Sequence, residues 1–251
     1  MCDLHSTPAY SRSLARRSLL KASAAAPALW AVGGSLYGNL AFAASLSQAQ
    51  RDAMTPASVI ELMKRGNLRF RKGEKLQRDT LAEQRSSAKG QYPAAVILSC
   101  IDSRAPAERI LDLGIGDVFN ARVAGNIAND DILGSLEFAC KLAGAMVVLV
   151  MGHTACGAIK GAIDNAELGN LTGLLVKIKP AVAATEYSGE RSATNYAFVD
   201  LVAKKNVELT IADIRKRSPV LAELETKGSI RIVGAMYDLA SGAVKFDAQA
   251  A

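Results

Sequence analysis

Two strand-length apolar runs, residues 94–100 (AAVILSC) and 145–151 (AMVVLVM), stand out in the interior of the chain. Short runs of this kind, with no polar alternation, predict strands buried on both faces of a sheet. Between them the pattern predicts a helix led by Pro106, a strand near Val118-Phe119 and a helix over residues 131–142. Strand and helix signals that alternate in this way predict an α/β fold, a mostly parallel central sheet flanked by crossover helices. Upstream, Thr55-Pro56 reads as a helix cap followed by a first-turn proline, and Val59, Leu62, Met63, Gly66 and Phe70 recur at helical spacing. An amphipathic N-terminal helical arm is therefore expected. Residues 71–90 are polar, carry Gly73 and Gly90, and read as a connecting segment with a short helix around Leu81. Downstream, residues 170–187 read as helical. A longer helix follows, with Tyr196, Val199, Val202, Ala203, Val207, Ile211 and Ile214 on one stripe and Ser218-Pro219 as its end. A strand over residues 229–237 and a Ser241-Gly242 turn into residues 244–246 predict an antiparallel edge strand.

Composition narrows this picture. The chain has 251 residues, 50% hydrophobic and 22% charged, with seven prolines, which excludes a disordered chain, a collagen and a disulfide-stapled miniprotein. A single domain over residues 44–251, helical arm included, is expected, since single cores stop growing at roughly 250–300 residues. The first 43 residues are a separate matter. Residues 11–21 read SRSLARRSLLK, and no charge occurs from Ala22 to Gln50. This segment resembles a bacterial twin-arginine export signal: Arg16-Arg17 are followed by Leu19, Leu20 and Lys21, with Ala15 where Ser or Thr is more typical. Ala41-Phe42-Ala43 is a small-x-small cleavage site, so the resemblance implies removal of residues 1–43 by the export machinery and a periplasmic location. A retained membrane anchor is the competing reading, although Pro27, Gly33, Gly34, Gly38 and Asn39 make a poor span.

Cleavage would remove four basic residues and one acidic residue, lowering the net charge from +6 to +3. Lys64, Arg65, Arg69, Arg71, Lys72 and Lys75 remain along one helix. That is a solvated face rather than a nucleic-acid surface. Cys100, Cys140 and Cys156 would remain, with His153 as the one histidine. An odd count argues against a disulfide framework. Cys140 falls in an apolar helical pattern and reads as core.

The chemistry concentrates at the ends of the two apolar runs. Cys100-Ile101-Asp102-Ser103-Arg104 closes the first, and His153-Thr154-Ala155-Cys156-Gly157 follows the second. Active sites in parallel sheets gather at the carboxyl ends of strands. Two thiolates and an imidazole form a soft ligand set suited to zinc, and three protein ligands leave a fourth tetrahedral position open for water or substrate.

These motifs, Cys-x-Asp-x-Arg and His-x-x-Cys, resemble those of the β-class carbonic anhydrases, over a stretch from about Asp52 to Phe246 that includes Arg122-Val123-Ala124-Gly125-Asn126 and Gly134-Ser135-Leu136-Glu137. The resemblance implies zinc held by Cys100, His153 and Cys156, with Asp102 and Arg104 as the catalytic dyad. It further implies that Gln91 hydrogen-bonds the bound anion, that Phe119 walls the carbon dioxide pocket and that the Gly157 backbone N–H contributes there. The implied activity is reversible hydration of carbon dioxide to bicarbonate and a proton by hydroxide, which zinc makes available by lowering the pKa of its water from 15.7 towards about 7–9. Where plant-type relatives have a pocket tyrosine supplied by the partner subunit, this chain has Phe138, keeping the wall and losing a hydroxyl. Ile97 stands where members with a second bicarbonate site have tryptophan, so no such site is expected. With His153 taken as a ligand, no other histidine remains beyond residue 43 to shuttle protons. The resemblance also implies a homodimer or homotetramer, with the helix from Pro56 packing on the partner. Two other functions stay open on the motifs: hydrolysis of carbon disulfide or carbonyl sulfide on the same scaffold, and a non-catalytic zinc module.

Overall fold

Valine, isoleucine and leucine at every second position decide which way each strand faces, and the apolar runs supply both phases at once. In a computed structural model, which describes residues 44–247, they form β1 (Ala95–Ser99) and β3 (Val147–His153), both buried throughout. The export-signal segment, residues 1–43, lies outside the described residues. With β2 (Val118–Arg122), β4 (Arg231–Tyr237) and β5 (Val244–Phe246) these strands make one sheet in the order β2-β1-β3-β4-β5. The first four are parallel, and β5 runs antiparallel to β4 as the edge pair. Ala95, Ile97, Val147, Leu149, Met151, Val233 and Ala235 point to one face, where they meet Val59, Ile60 and Met63 of the helix Pro56–Lys72. Val96, Leu98, Val148, Val150 and Ile232 point to the other, against Leu133, Leu136, Val207, Ile211 and Ile214. Each such fully buried aliphatic side chain contributes about 1.5–3 kcal/mol.

The helices in chain order are α1 (Gln48–Asp52), α2 (Pro56–Lys72), α3 (Thr80–Ser87), α4 (Ala107–Ile110), α5 (Asp130–Glu137), α6 (Gly157–Ile163), α7 (Gly169–Val176), α8 (Lys179–Ala184), α9 (Tyr196–Arg217) and α10 (Pro219–Thr226). Thr55 caps α2 in a reciprocal box with Ser58. The arm's apolar stripe packs on the sheet of its own subunit. The expected helix over residues 131–142 ends at Glu137 and continues as a π-helical turn, Phe138–Leu142. The expected helical stretch over residues 170–187 divides into α7 and α8, because Pro180 opens a new helix rather than continuing the old one. Among the described residues no helix is long and apolar enough to cross a membrane.

Close approach of α2 to the chain after α4 depends on Gly66, where a Cβ would lie 1.8 Å from the Leu111 carbonyl oxygen. Gly66→Ala is therefore expected to destabilise the protein by about 1–3 kcal/mol, read as a shift in the chemical denaturation midpoint. An unchanged midpoint would mean that α2 can move off the sheet at no cost.

Candidate metal centre

Parallel pairing of β1 with β3 sets Ser99 beside Met151, so the residues leaving the two strands, Cys100 and His153, emerge at the same sheet end. Three residues beyond His153, Cys156 is the N-cap of α6. All three side chains are buried, and their ligand atoms lie within 4.8 Å of one another. A tetrahedral zinc site needs such atoms roughly 3.5–3.8 Å apart, so the set closes on an ion with small side-chain adjustments.

The imidazole is oriented for this. His153 Nδ1 lies 2.9 Å from the Thr154 carbonyl oxygen, which fixes the proton on Nδ1, and buried Nε2 has no hydrogen-bond partner. An orphaned buried nitrogen on an imidazole grouped with two cysteine sulfurs fits a metal ligand. The sulfurs are unequal. Cys156 beside it holds the Cys100 thiol well below its usual range, assisted by His153 and the backbone of Gly125 and Asp102, and the shared proton pushes Cys156 up. The Gly125 N–H, at 3.4 Å from Cys100 Sγ, comes from a left-handed glycine (φ 69°) whose carbonyl accepts a 2.7 Å hydrogen bond from buried Asn206 Nδ2. Burial pulls the His153 imidazole down, but the Cys100 thiolate beside it outweighs that and the net shift is upward. The site thus holds a negative field that a proton or a metal cation satisfies, and the two compete for it.

Asp102 and Arg104 stand at the mouth of this cluster. The carboxylate accepts from the Arg104 backbone N–H at 2.9 Å, from Nε at 3.0 Å and from Nη2 at 2.7 Å. That fork holds the Asp102 carboxyl at about 2, below its usual range. Its Oδ2 is 3.8 Å from His153 Nε2, within reach of anything the ligands hold. Arg122, at the end of β2, clamps the intervening loop by donating to the carbonyls of Cys100 (2.9 Å) and Asp102 (2.7 Å).

Residues 95–244 match the carbonic anhydrase family, a span that begins with β1 and holds Cys100, Asp102, Arg104, His153 and Cys156. The chain belongs to the β-class carbonic anhydrase family. Carbonic anhydrase 2 of Mycobacterium tuberculosis is 35% identical over 189 residues, which is 74% of this chain and 90% of that protein. A β-carbonic anhydrase of Aspergillus fumigatus, known from a crystal structure, matches with a TM-score of 0.59 at 28% identity, over 66% of this chain and 80% of that one. One of two tetrameric β-carbonic anhydrases from Sordaria macrospora matches with a TM-score of 0.57 at 26% identity, over 64% and 83%.

Of the pocket residues that the β-carbonic anhydrase resemblance implies, Gly157 adjoins the ligands, opening α6 directly after Cys156. The structure does not bring the other three to the cluster of their own chain. Gln91 is exposed beside Ser87, Gly90, Ile115 and Gly116, before β1, so roughly 17 Å of strand separates it from Cys100. Phe119 and Phe138 meet edge to face, ring centroids 6.0 Å apart, in a shallow groove with Val96, Ala121 and Gly134. Phe138 is 51% exposed there. Cys140 is buried among apolar side chains, and burial pushes its thiol up to about 12. Sequence reasoning assigned no role to Arg122 or to Asp200, whose Oδ1 accepts the Ala155 N–H at 2.8 Å. Arg122 lies within a motif already singled out, so a search for its donors' targets could have started there. Nothing in the local pattern around Asp200 distinguishes it from a solvent-facing acid.

Proposed function

We propose that this protein catalyses the zinc-dependent reversible hydration of carbon dioxide to bicarbonate and a proton, with Cys100, His153 and Cys156 as the metal ligands. The observation that carries this reading is the intact Asp102–Arg104 pair with its carboxylate 3.8 Å from the ligand set. A closed structural zinc site would call for a fourth protein ligand, and among the described residues the cluster has three. When bound, zinc supplies Lewis acidity that brings the ionisation of water into the neutral range.

The chain's own groups do the rest. Asp102, ionised, can only accept, so it selects a nucleophile that presents a hydrogen to Oδ2 and leaves a lone pair for the substrate carbon. Arg104 keeps that carboxylate charged and in place. Arg122 holds the loop carrying both Cys100 and Asp102, so ligand and acceptor move together. Because Asp102 titrates near 2, its acceptor role persists across the neutral range and is lost only as the pH falls towards that value. Gln91, Phe119 and Phe138 lie apart from their own cluster, and they serve as pocket residues in this reading only across a subunit boundary, in a homodimer or homotetramer. The tetrameric assembly named for the Sordaria relatives supports an oligomer. The Arg16-Arg17 segment and the Ala41-Phe42-Ala43 site support export to the periplasm and cleavage after Ala43.

Stopped-flow hydration of carbon dioxide by the zinc-loaded protein, with carbonyl sulfide and carbon disulfide as competing substrates, tests the activity. Rapid turnover of carbon dioxide that disappears with chelation and returns with zinc is the expected result. A zinc-loaded protein that hydrolyses only the sulfur compounds, or nothing, would overturn it.

A further inference from the structure

The turn between the second and third ligands has a conformation its sequence disfavours. Ala155 sits at φ 53°, in the left-handed region that an alanine side chain rarely adopts. This residue separates His153, at the end of β3, from Cys156, at the start of α6, and its twist lets a strand end and a helix cap aim at one point. The preceding residue is fixed independently. Thr154 donates its backbone N–H to the Tyr237 carbonyl at 3.0 Å, and its hydroxyl oxygen accepts from the Leu239 N–H at 3.0 Å. Ala155 itself is held through its N–H, which donates to Asp200 Oδ1 at 2.8 Å, 45 residues away on α9. Val199 and Val202, both fully buried, flank Asp200 and seat that stretch of α9 in the core beside Cys100, Cys156 and Ile159. The acceptor is therefore delivered by a rigid element rather than by a loop.

We propose that Asp200 is a positioning residue of the metal centre: by accepting the Ala155 N–H it holds the left-handed turn, and so sets the separation of the His153 and Cys156 ligand atoms. This rests on the assignment of Cys100, His153 and Cys156 as metal ligands. Without the carboxylate, the Ala155 N–H loses its fixed partner and the turn relaxes towards conformations alanine prefers. The ligand atoms then drift apart, and outer-shell losses of this kind weaken metal binding by about 10–100-fold.

The test measures zinc affinity of the full chain by competition with a chromophoric chelator, alongside the absorption spectrum of the cobalt-substituted protein. Asp200→Ala is expected to bind zinc about 10–100-fold more weakly and to change the cobalt spectrum. Asp200→Asn, which keeps an acceptor oxygen, should stay close to the native chain. Adding Ala155→Gly to Asp200→Ala should restore most of the affinity, because glycine adopts the left-handed region freely. A native chain that binds no zinc would remove the ligand assignment and this inference with it. A native chain that binds zinc while Asp200→Ala binds it equally well overturns the inference alone. So does a loss that Ala155→Gly fails to restore, since Asp200 would then act on the fold at large. Should Asp200→Ala not fold, the double variant decides: recovery of folding and zinc binding supports the turn-holding role, and an unfolded double variant overturns it.

Discussion

Replacing His153 with alanine is expected to abolish zinc retention and carbon dioxide hydration together while leaving the sheet assembled. The imidazole offers a buried Nε2 with no hydrogen-bond partner, so at that nitrogen the change removes a metal donor and breaks no hydrogen bond. Two thiolates cannot close a tetrahedral site, and the binding free energy of such centres, about 10–16 kcal/mol for structural zinc, is distributed over all the ligands. The remaining thiols should also change character. Cys100 is held as a thiolate by Cys156 first and by His153 as well, so its pKa should rise once the imidazole is gone. Metal analysis after dialysis, hydration kinetics and circular dichroism check the three parts. A variant that keeps stoichiometric zinc would remove His153 from the ligand set.

Asp102→Asn should do the opposite, sparing the metal and costing the reaction. Where the Arg104 guanidinium now donates two hydrogen bonds to the carboxylate and the Arg104 backbone N–H a third, the asparagine amide presents N–H groups of its own, so the pair is broken and the acceptor role is lost. Turnover should fall by about 100- to 10,000-fold, the range for losing a positioned proton-handling group, with zinc content unchanged. Arg104→Gln provides the complementary measurement. The guanidinium is the leading cause of the depressed Asp102 pKa, so removing it should raise that value from about 2 and bring an acid limb into the pH–rate profile. The sign follows from linkage: a depressed carboxylate keeps its role above its folded pKa and loses it as the pH falls through that value. Native-like turnover in Asp102→Asn would refute the assigned role.

Much of this was legible in the sequence because the informative signals were local. Strand-length apolar runs placed β1 and β3, and each run ended at the residues that carry the chemistry. The short helices were less legible. α6, GAIKGAI, buries Ile159 and Ala162 without a bulky stripe, and α10 was read only as the stop for α9. Residues 71–90 show why polarity misleads. Leu81, the apolar residue on which a short helix was centred, is 65% exposed, while Glu83 is 1% exposed. Arg78 pairs with Glu83 at 2.9 Å, and Glu83 also accepts the Ile115 N–H at 3.1 Å, so a charge lies inside because its partners are there. No periodicity encodes a partner such as Ile115, which arrives from 32 residues away. The same reason hides Asp200, whose role depends on an N–H contributed by another element. Gln91, Phe119 and Phe138 rest on family resemblance alone, and within the chain they line two surface grooves away from the Cys100, His153 and Cys156 cluster.

The parallel neighbours β1 and β3 also have a kinetic meaning. Their pairing joins residues 52 positions apart, Ser99 with Met151, through a crossover that includes β2 and α5. Such non-local pairings form late, since loop closure must be met before any contact rewards it. The first ligand cannot meet the other two until this step is complete. Acquisition of the ion in a refolding experiment should therefore follow the central pairing of the sheet, and the bound ion serves as a clock for the slowest part of the fold.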